Sequence, residues 1–144
     1  MLTYRIIWVG RNAADPLLQA AAAYRERLSH YAKVEMVQVK DSDAVQESRA
    51  ILAHVQDHVI ALDPRGRELS TAAWVQATQA LQHKRCISFV IGGADGLHAE
   101  VLARAQERWS LSQLTFPHRL AQVILLEQLY RVHTVLRGEK YHRA

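Results

Sequence analysis

Disulfides are the first thing this chain cannot have. Cys86 is its one cysteine in 144 residues. A single thiol excludes an internal disulfide and zinc modules built on cysteine pairs, and a reducing cytoplasm is the expected compartment. Three prolines and six glycines exclude a collagen-like chain and leave no stretch that reads as a linker. No apolar run approaches the roughly 18 residues of a membrane span. The opening residues Met1 to Arg5 lack a basic stretch followed by an apolar one, so no secretory signal is expected. No Gly-Lys-Ser/Thr follows a glycine loop, and no nucleophile-elbow pattern surrounds a serine.

What remains is the composition of a globular chain, 49% hydrophobic and 22% charged. Its length suits one domain, residues 1–144, with a core that needs no covalent staples. The net charge of +4 leans weakly towards polyanionic partners. Pro117 to Ala144 carry five basic residues (Arg119, Arg131, Arg137, Lys140, Arg143) against Glu127 and Glu139, so most of that charge lies at the end.

Branched and aromatic runs predict strands at Leu2 to Val9, Val34 to Val39, His58 to Leu62, Cys86 to Ile91 and Trp109 to Leu111. Helices are predicted from Pro16 to Tyr31 behind an Asp15 cap, from Asp43 to about Val55 behind a capping box with Gln46, and from Ser70 past Leu81. Two more are predicted, from Leu97 to about Glu107 and from Pro117 to about Leu136, the last ended by Gly138. Strands alternating with helices predict an α/β fold, a mostly parallel sheet with helices on both faces. Cys86 to Ile91 is apolar throughout and is expected to be the central strand. The last helix is apolar on more than one stripe, which asks for two partners, one of them a second subunit.

Ligands of such sheets bind beyond the carboxyl ends of the strands. Three segments therefore stand out: Asp63 to Gly66, read as a turn that stops the third strand; Gly92 to Gly96; and Leu111 to Phe116. The glycine loop allows close backbone approach to a ligand, or is a plain tight turn. His54, Asp57 and His58 have a spacing compatible with zinc, but His58 falls beyond the helix, so they read as surface residues. Cys86 reads as a small core residue. The tail Tyr141-His142-Arg143-Ala144 groups an aromatic ring, an imidazole and a guanidinium beyond the last helix. These groups can stack on a base, move a proton and meet an anion, or they form an idle terminus.

Several motifs occur in a specific order: Val9-Gly10, Tyr24-Arg25-Glu26-Arg27-Leu28, Ile91 to Leu97, Leu111-Ser112-Gln113-Leu114-Thr115-Phe116-Pro117-His118, Leu125 to Arg131, and Gly138-Glu139-Lys140-Tyr141-His142-Arg143. Together they resemble, over nearly the whole chain, the ribosomal RNA large subunit methyltransferase H family, the pseudouridine N3-methyltransferases of the SPOUT class. The resemblance implies a C-terminal trefoil knot, a homodimer and S-adenosyl-L-methionine as cofactor, with no metal. Carried over by motif, Leu62, Gly92 and the stretch Leu111, Ser112, Gln113, Leu114, Thr115 and Phe116 would hold the cofactor. Tyr141, His142 and Arg143 would be catalytic. The implied substrate is a stem-loop of 23S rRNA on the assembled ribosome.

Two positions depart from the family pattern. Gln122 stands where arginine is frequent, with Arg119 one helical turn earlier as a substitute, and Lys140 stands where proline is frequent. Two other functions are carried alongside: a SPOUT-class tRNA ribose methyltransferase, and a ribosome-binding assembly factor without chemistry.

Overall fold

The computed structural model describes residues 1–11, 14–93 and 95–143. Ala94 of the glycine loop and Ala144 of the tail lie outside the described residues. Ten elements alternate as the sequence predicts: β1 (Thr3–Val9), α1 (Leu17–Ser29), β2 (Lys33–Val39), α2 (Ala44–His54), β3 (His58–Glu68), α3 (Thr71–Ala80), β4 (Cys86–Ile91), α4 (Ala99–Arg104), β5 (Glu107–Ser110) and α5 (His118–Leu136). The five strands form one sheet in the order β2-β1-β4-β3-β5, every pairing parallel. β4 lies at the centre, and all six of its residues are buried, Cys86 included.

Strand periodicity sorts the core onto two faces. Tyr4, Ile6, Trp8, Ile60, Ile87 and Phe89 join Leu28, Trp74, Trp109, Leu125 and Leu129 in one cluster under α1, α5 and α3. Ile7, Val9, Val59 and Val90 join Ile51 and Val101 under α2 and α4 on the other face. Neighbours along a strand thus go to opposite clusters, as a period of two requires.

The helix ends follow local chemistry. The Asp15 carboxylate accepts from the Leu17 amide at 2.8 Å, and Asp43 accepts from Gln46 at 2.9 Å. The reciprocal half of the predicted capping box falls to Glu47, which accepts from the Ser42 amide at 2.8 Å. Ser70 caps α3 through the Ala73 amide at 3.1 Å. At the end of α5, Gly138 has φ +68, and the amides of Gly138 and Glu139 donate to the carbonyls of Val135 and Thr134 at 3.0 and 2.9 Å. That is a Schellman closure, and it sends the tail back along α5.

Three boundaries differ from the sequence reading. β3 does not stop at Leu62 but runs to Glu68. Asp63 does make the expected turn, accepting from the Arg65 amide at 3.0 Å. The strand then resumes, and Leu62 and Arg67 both pair with Trp109 across a register shift. Gly66 permits this, since a Cβ there would lie 2.7 Å from the Arg108 carbonyl carbon. α4 is short, and β5 starts at Glu107 rather than Trp109. The Gln106 side chain accepts from the Val59 amide at 2.7 Å and its own amide donates to the Val59 carbonyl at 2.9 Å, so the chain is drawn onto β3 before a longer helix can form. Finally, His58 is more than a surface residue: it pairs with Glu107 at 2.6 Å. Asp57 turns away to accept from the amides of Arg85 and Cys86, and no three potential metal ligands converge among the described residues.

The buried pair Tyr4–His133 links β1 to α5 at 2.7 Å, and His133 is 6% exposed. Burial, with the Arg137 charge second, pushes the imidazole down to about 4. His133 therefore stays neutral in the folded chain while it titrates near 6.5 in the unfolded one. Below that value the unfolded chain binds the extra proton, so stability is full above about pH 6.5 and falls by up to about 3 kcal/mol towards pH 4. Urea titrations at pH 7 and pH 4.5 check this. His133→Gln should flatten the dependence; an equal slope in both proteins would assign it to other groups.

Candidate cofactor cavity and C-terminal tail

Parallel strands end together, so the segments that follow them meet. The carboxyl end of β4 and the turn that interrupts β3 place Ile91 and Leu62 side by side in register. The glycine loop after β4 folds on itself, with Gly93 and Gly96 bridged and the Gly96 amide donating to the Gly93 carbonyl at 3.0 Å. Gly96 needs its φ of +74 for that turn. Gly92 is required for a different reason. A Cβ there would stand 2.5 Å from the Gly96 carbonyl carbon and 2.9 Å from the Leu97 amide. The loop's own backbone occupies that space. α4 starts only at Ala99, so the loop leads through Leu97 and His98 before any helix begins.

These segments and the link from β5 to α5 enclose a cavity of about 290 Å³. Leu62, Gly92, Leu111, Ser112, Leu114, Thr115 and Phe116 all line it, together with Asp63, Gly93, Leu97 and Ala121. Gln113 is in the same link but does not line the cavity, and Leu114 is 69% exposed at its rim. Ser110 and Ser112 shape the link: the Ser110 hydroxyl donates to the Ser112 carbonyl at 2.9 Å, and the Ser112 hydroxyl accepts from the Leu114 amide at 3.0 Å. The amides of Gln113, Thr115 and Phe116 donate to no group among the described residues. Apolar walls with open backbone donors suit a flat heterocycle on a polar chain, and the size lies near the lower end of small-molecule sites, about 300–1,000 Å³. That donor set fits S-adenosylmethionine.

A second, larger cavity of about 740 Å³ lies between α1 and the start of α5 over Trp8 and Met36. Two buried donors on its walls, Trp8 Nε1 and Arg119 Nε, have no partner among the described residues. Arg119 donates to Gln122 Oε1 at 3.4 Å, so the departure at Gln122 is paired with the arginine expected to substitute for it. Composition hides this groove, because α1 places Leu18, Ala21 and Ala22 along it only once the helix is docked.

The tail is docked rather than frayed. Tyr141 packs edge-on to Tyr130 at 4.7 Å, lies under the Arg131 guanidinium at 4.8 Å, and its hydroxyl donates to Glu127 at 3.3 Å. Arg131 is itself held by Glu127 at 2.6 Å and donates to His142 Nδ1 at 3.0 Å. Arginine has no acceptor atom, so Nδ1 accepts and the neutral imidazole carries its proton on Nε2. Arg143 is exposed. The structure therefore joins Tyr141 and His142 but not the tail to the cavity of its own chain. Ala121 lines the cavity, while Glu127 and Arg131 sit roughly 9 and 15 Å farther along α5 at 1.5 Å per residue.

Comparison with known proteins gives the family. Residues 2–142 match the model of the family described as "Predicted SPOUT methyltransferase". The ribosomal RNA large subunit methyltransferase H of Anaeromyxobacter dehalogenans is 38% identical over 150 residues, covering 96% of this chain and 98% of the relative. The protein of the same name from Desulfitobacterium hafniense is 36% identical over 160 residues, covering 99% and 100%. Among solved structures, a probable methylase family protein from Haemophilus influenzae overlays with a TM-score of 0.62 at 15% identity, over 98% of this chain and 70% of that one. A probable methyltransferase from Bordetella pertussis gives 0.55 at 14% identity, over 90% and 95%. These two overlays speak for the fold alone. Among the described residues no helix is long and apolar enough to cross a membrane. With a full-length family match, relatives over a third identical and a parallel sheet whose strand ends build one cavity, this chain belongs to the SPOUT methyltransferases, in the ribosomal RNA large subunit methyltransferase H family, a class that uses S-adenosylmethionine and whose membership implies the trefoil knot.

Proposed function

We propose that the chain methylates N3 of a pseudouridine in a 23S rRNA stem-loop on the ribosome. The observation that carries the site is the convergence of Leu62, Gly92 and the segment from Leu111 to Phe116 on one cavity. S-adenosylmethionine, when bound, supplies a methyl already activated on a sulfonium. Leu62, Leu111 and Phe116 would give the cofactor apolar walls, and the open amides of Thr115 and Phe116 would be donors for its polar groups. Gly92 acts on the cavity through the loop it allows.

Transfer forms a bond from the methyl carbon to N3, breaks the bond from carbon to sulfur and sends the N3 proton to water. Alignment supplies up to roughly 7–11 kcal/mol of such a barrier. The negative charge that spreads from N3 onto the flanking carbonyls needs a donor. His142, with Nδ1 held by Arg131, presents Nε2–H for that purpose. The geometry favours a positioned donor over a base. Tyr141 offers a base-stacking ring and Arg143 a cation.

The tail that completes one cavity comes from a second copy, because within one chain it lies two to three helical turns away. Leu120, Val123 and Ile124 on α5 stay half-exposed, and Trp8 and Arg119 keep unpartnered donors in the neighbouring groove. A homodimer built on α5 covers such groups. Light scattering at micromolar protein should give twice the chain mass; a monomer mass would remove the composite site.

RNA mass spectrometry on cells lacking the protein, with and without rescue, tests the reaction. A 23S pseudouridine that gains a methyl only on rescue supports it. A gain on a tRNA ribose would move the target, and no change in any RNA would leave a binding role without chemistry.

A further inference from the structure

We infer that the last turns of α1 and α5 form the surface that grips the phosphate backbone of the RNA, through Arg27 and Arg137. This rests on the RNA methyltransferase reading above but concerns a different part of the molecule from the cofactor cavity. Four side chains form a ladder there. The Arg27 guanidinium lies 5.8 Å from the Tyr130 ring, Tyr130 is 6.1 Å from Tyr31, and Tyr31 is 5.3 Å from the Arg137 guanidinium. Arg27 also lies over Tyr24 at 5.3 Å. Both arginines are exposed, and neither has a carboxylate partner among the described residues.

Two of the nearby acids have partners of their own. Glu127 is taken by Arg131 at 2.6 Å, and Glu139 accepts the Tyr31 hydroxyl at 2.8 Å. Glu26 lies towards the groove on the other side of α1. Two exposed guanidinium groups thus rest beside tyrosine rings, at 5.8 Å for Arg27 on Tyr130 and 5.3 Å for Arg137 on Tyr31. A planar fork of donors fixed in this way matches a phosphate and has lost little freedom before binding. Lys140 and Arg143, both exposed, add charge beside it.

Continuity with the tail selects RNA over an acidic protein. Tyr130 is shared: one contact leads to Arg27, another to Tyr141 at 4.7 Å. A strand whose base meets Tyr141 and His142 thus has the ladder within reach of its neighbouring phosphates. Contacts of this kind position a nucleic acid without reading its sequence.

The test uses Arg27→Ala, Arg137→Ala and the double variant in the full chain. Ribosomes from cells lacking the protein are the probe. Cosedimentation is measured over a range of salt, beside methyl transfer. The double variant should bind ribosomes roughly tenfold more weakly. Its slope of log affinity against log salt should shrink by about 1.4–1.8, the value for two lost phosphate contacts. S-adenosylmethionine affinity and kcat at saturating ribosomes should hold. Lysine at both positions should restore most of the salt slope. An unchanged slope in the double variant overturns the proposal, as does loss of dimer mass in place of ribosome affinity. If the unaltered protein binds ribosomes but transfers no methyl, the reaction fails while the surface stands. If the variants match it in binding and it does transfer, the surface fails while the reaction stands.

Discussion

Removing Tyr141 to Ala144 should abolish methyl transfer to ribosomes and spare both the fold and S-adenosylmethionine binding. Little burial is lost, since Tyr141 and His142 are only half-buried and lie beyond the Schellman turn at Gly138. The groups lost are the ones proposed to meet the substrate. Stacking of a base on Tyr141 is worth roughly 1–3 kcal/mol. His142→Ala alone should lower kcat by about 10²–10³, the cost of removing one donor to a developing oxyanion. Arg143→Ala should weaken use of RNA more than turnover. The pH profile separates the two roles of His142. As a base it would impose an ionisation that the alanine variant loses. As a donor with Nδ1 held by Arg131 it leaves the profile's shape unchanged. Arg131→Met should then mimic part of the His142→Ala loss by freeing the ring. Near-normal transfer by the truncated protein would return the role to His118, Arg119 or bound water.

Gly92→Val should cost cofactor affinity, and the structure gives a different reason from the one the sequence suggests. The close backbone approach that a glycine loop allows suggests that a branched side chain intrudes on the ligand. In the fold its Cβ meets the Gly96–Leu97 backbone first, at 2.5 to 2.9 Å. Backbone cannot swing aside as a side chain does, so the whole loop must move, at a cost of about 1–3 kcal/mol typical of overpacking. Gly92→Ala should therefore already weaken binding, by roughly 5- to 150-fold on that scale. Calorimetry on a variant with native circular dichroism checks it. Unchanged affinity would place the ligand away from this loop.

The α/β class, the element order and the central place of β4 were legible because periodicity and apolar runs are local signals. Capping at Asp15, Asp43 and Ser70 was legible for the same reason: each cap bonds an amide within three residues. The strand-end segments could be chosen because any parallel sheet gathers them at one edge, and the structure does bring Leu62, Gly92 and most of the 111–116 segment together. The ends of β3, α4 and β5 were not legible. Each is decided by a partner strand: Trp109 pairing twice across a bulge, and Gln106 bonding Val59 from 47 residues away.

The tail shows the division most sharply. Its residue types pointed to chemistry on a base, and sequence could carry that reading no further than an alternative to an idle terminus. Docking against Glu127, Tyr130 and Arg131 decided which nitrogen of His142 bears the proton and that the tail does not serve its own cavity. The same holds for the burial of Arg119 with Gln122 beside Trp8, and for the ladder from Arg27 to Arg137. Composition and spacing determined which groups this chain owns and which elements carry them. Only tertiary packing decided which of those groups meet, because contacts across the sheet and between α1 and α5 join residues about a hundred positions apart, where no local pattern reaches.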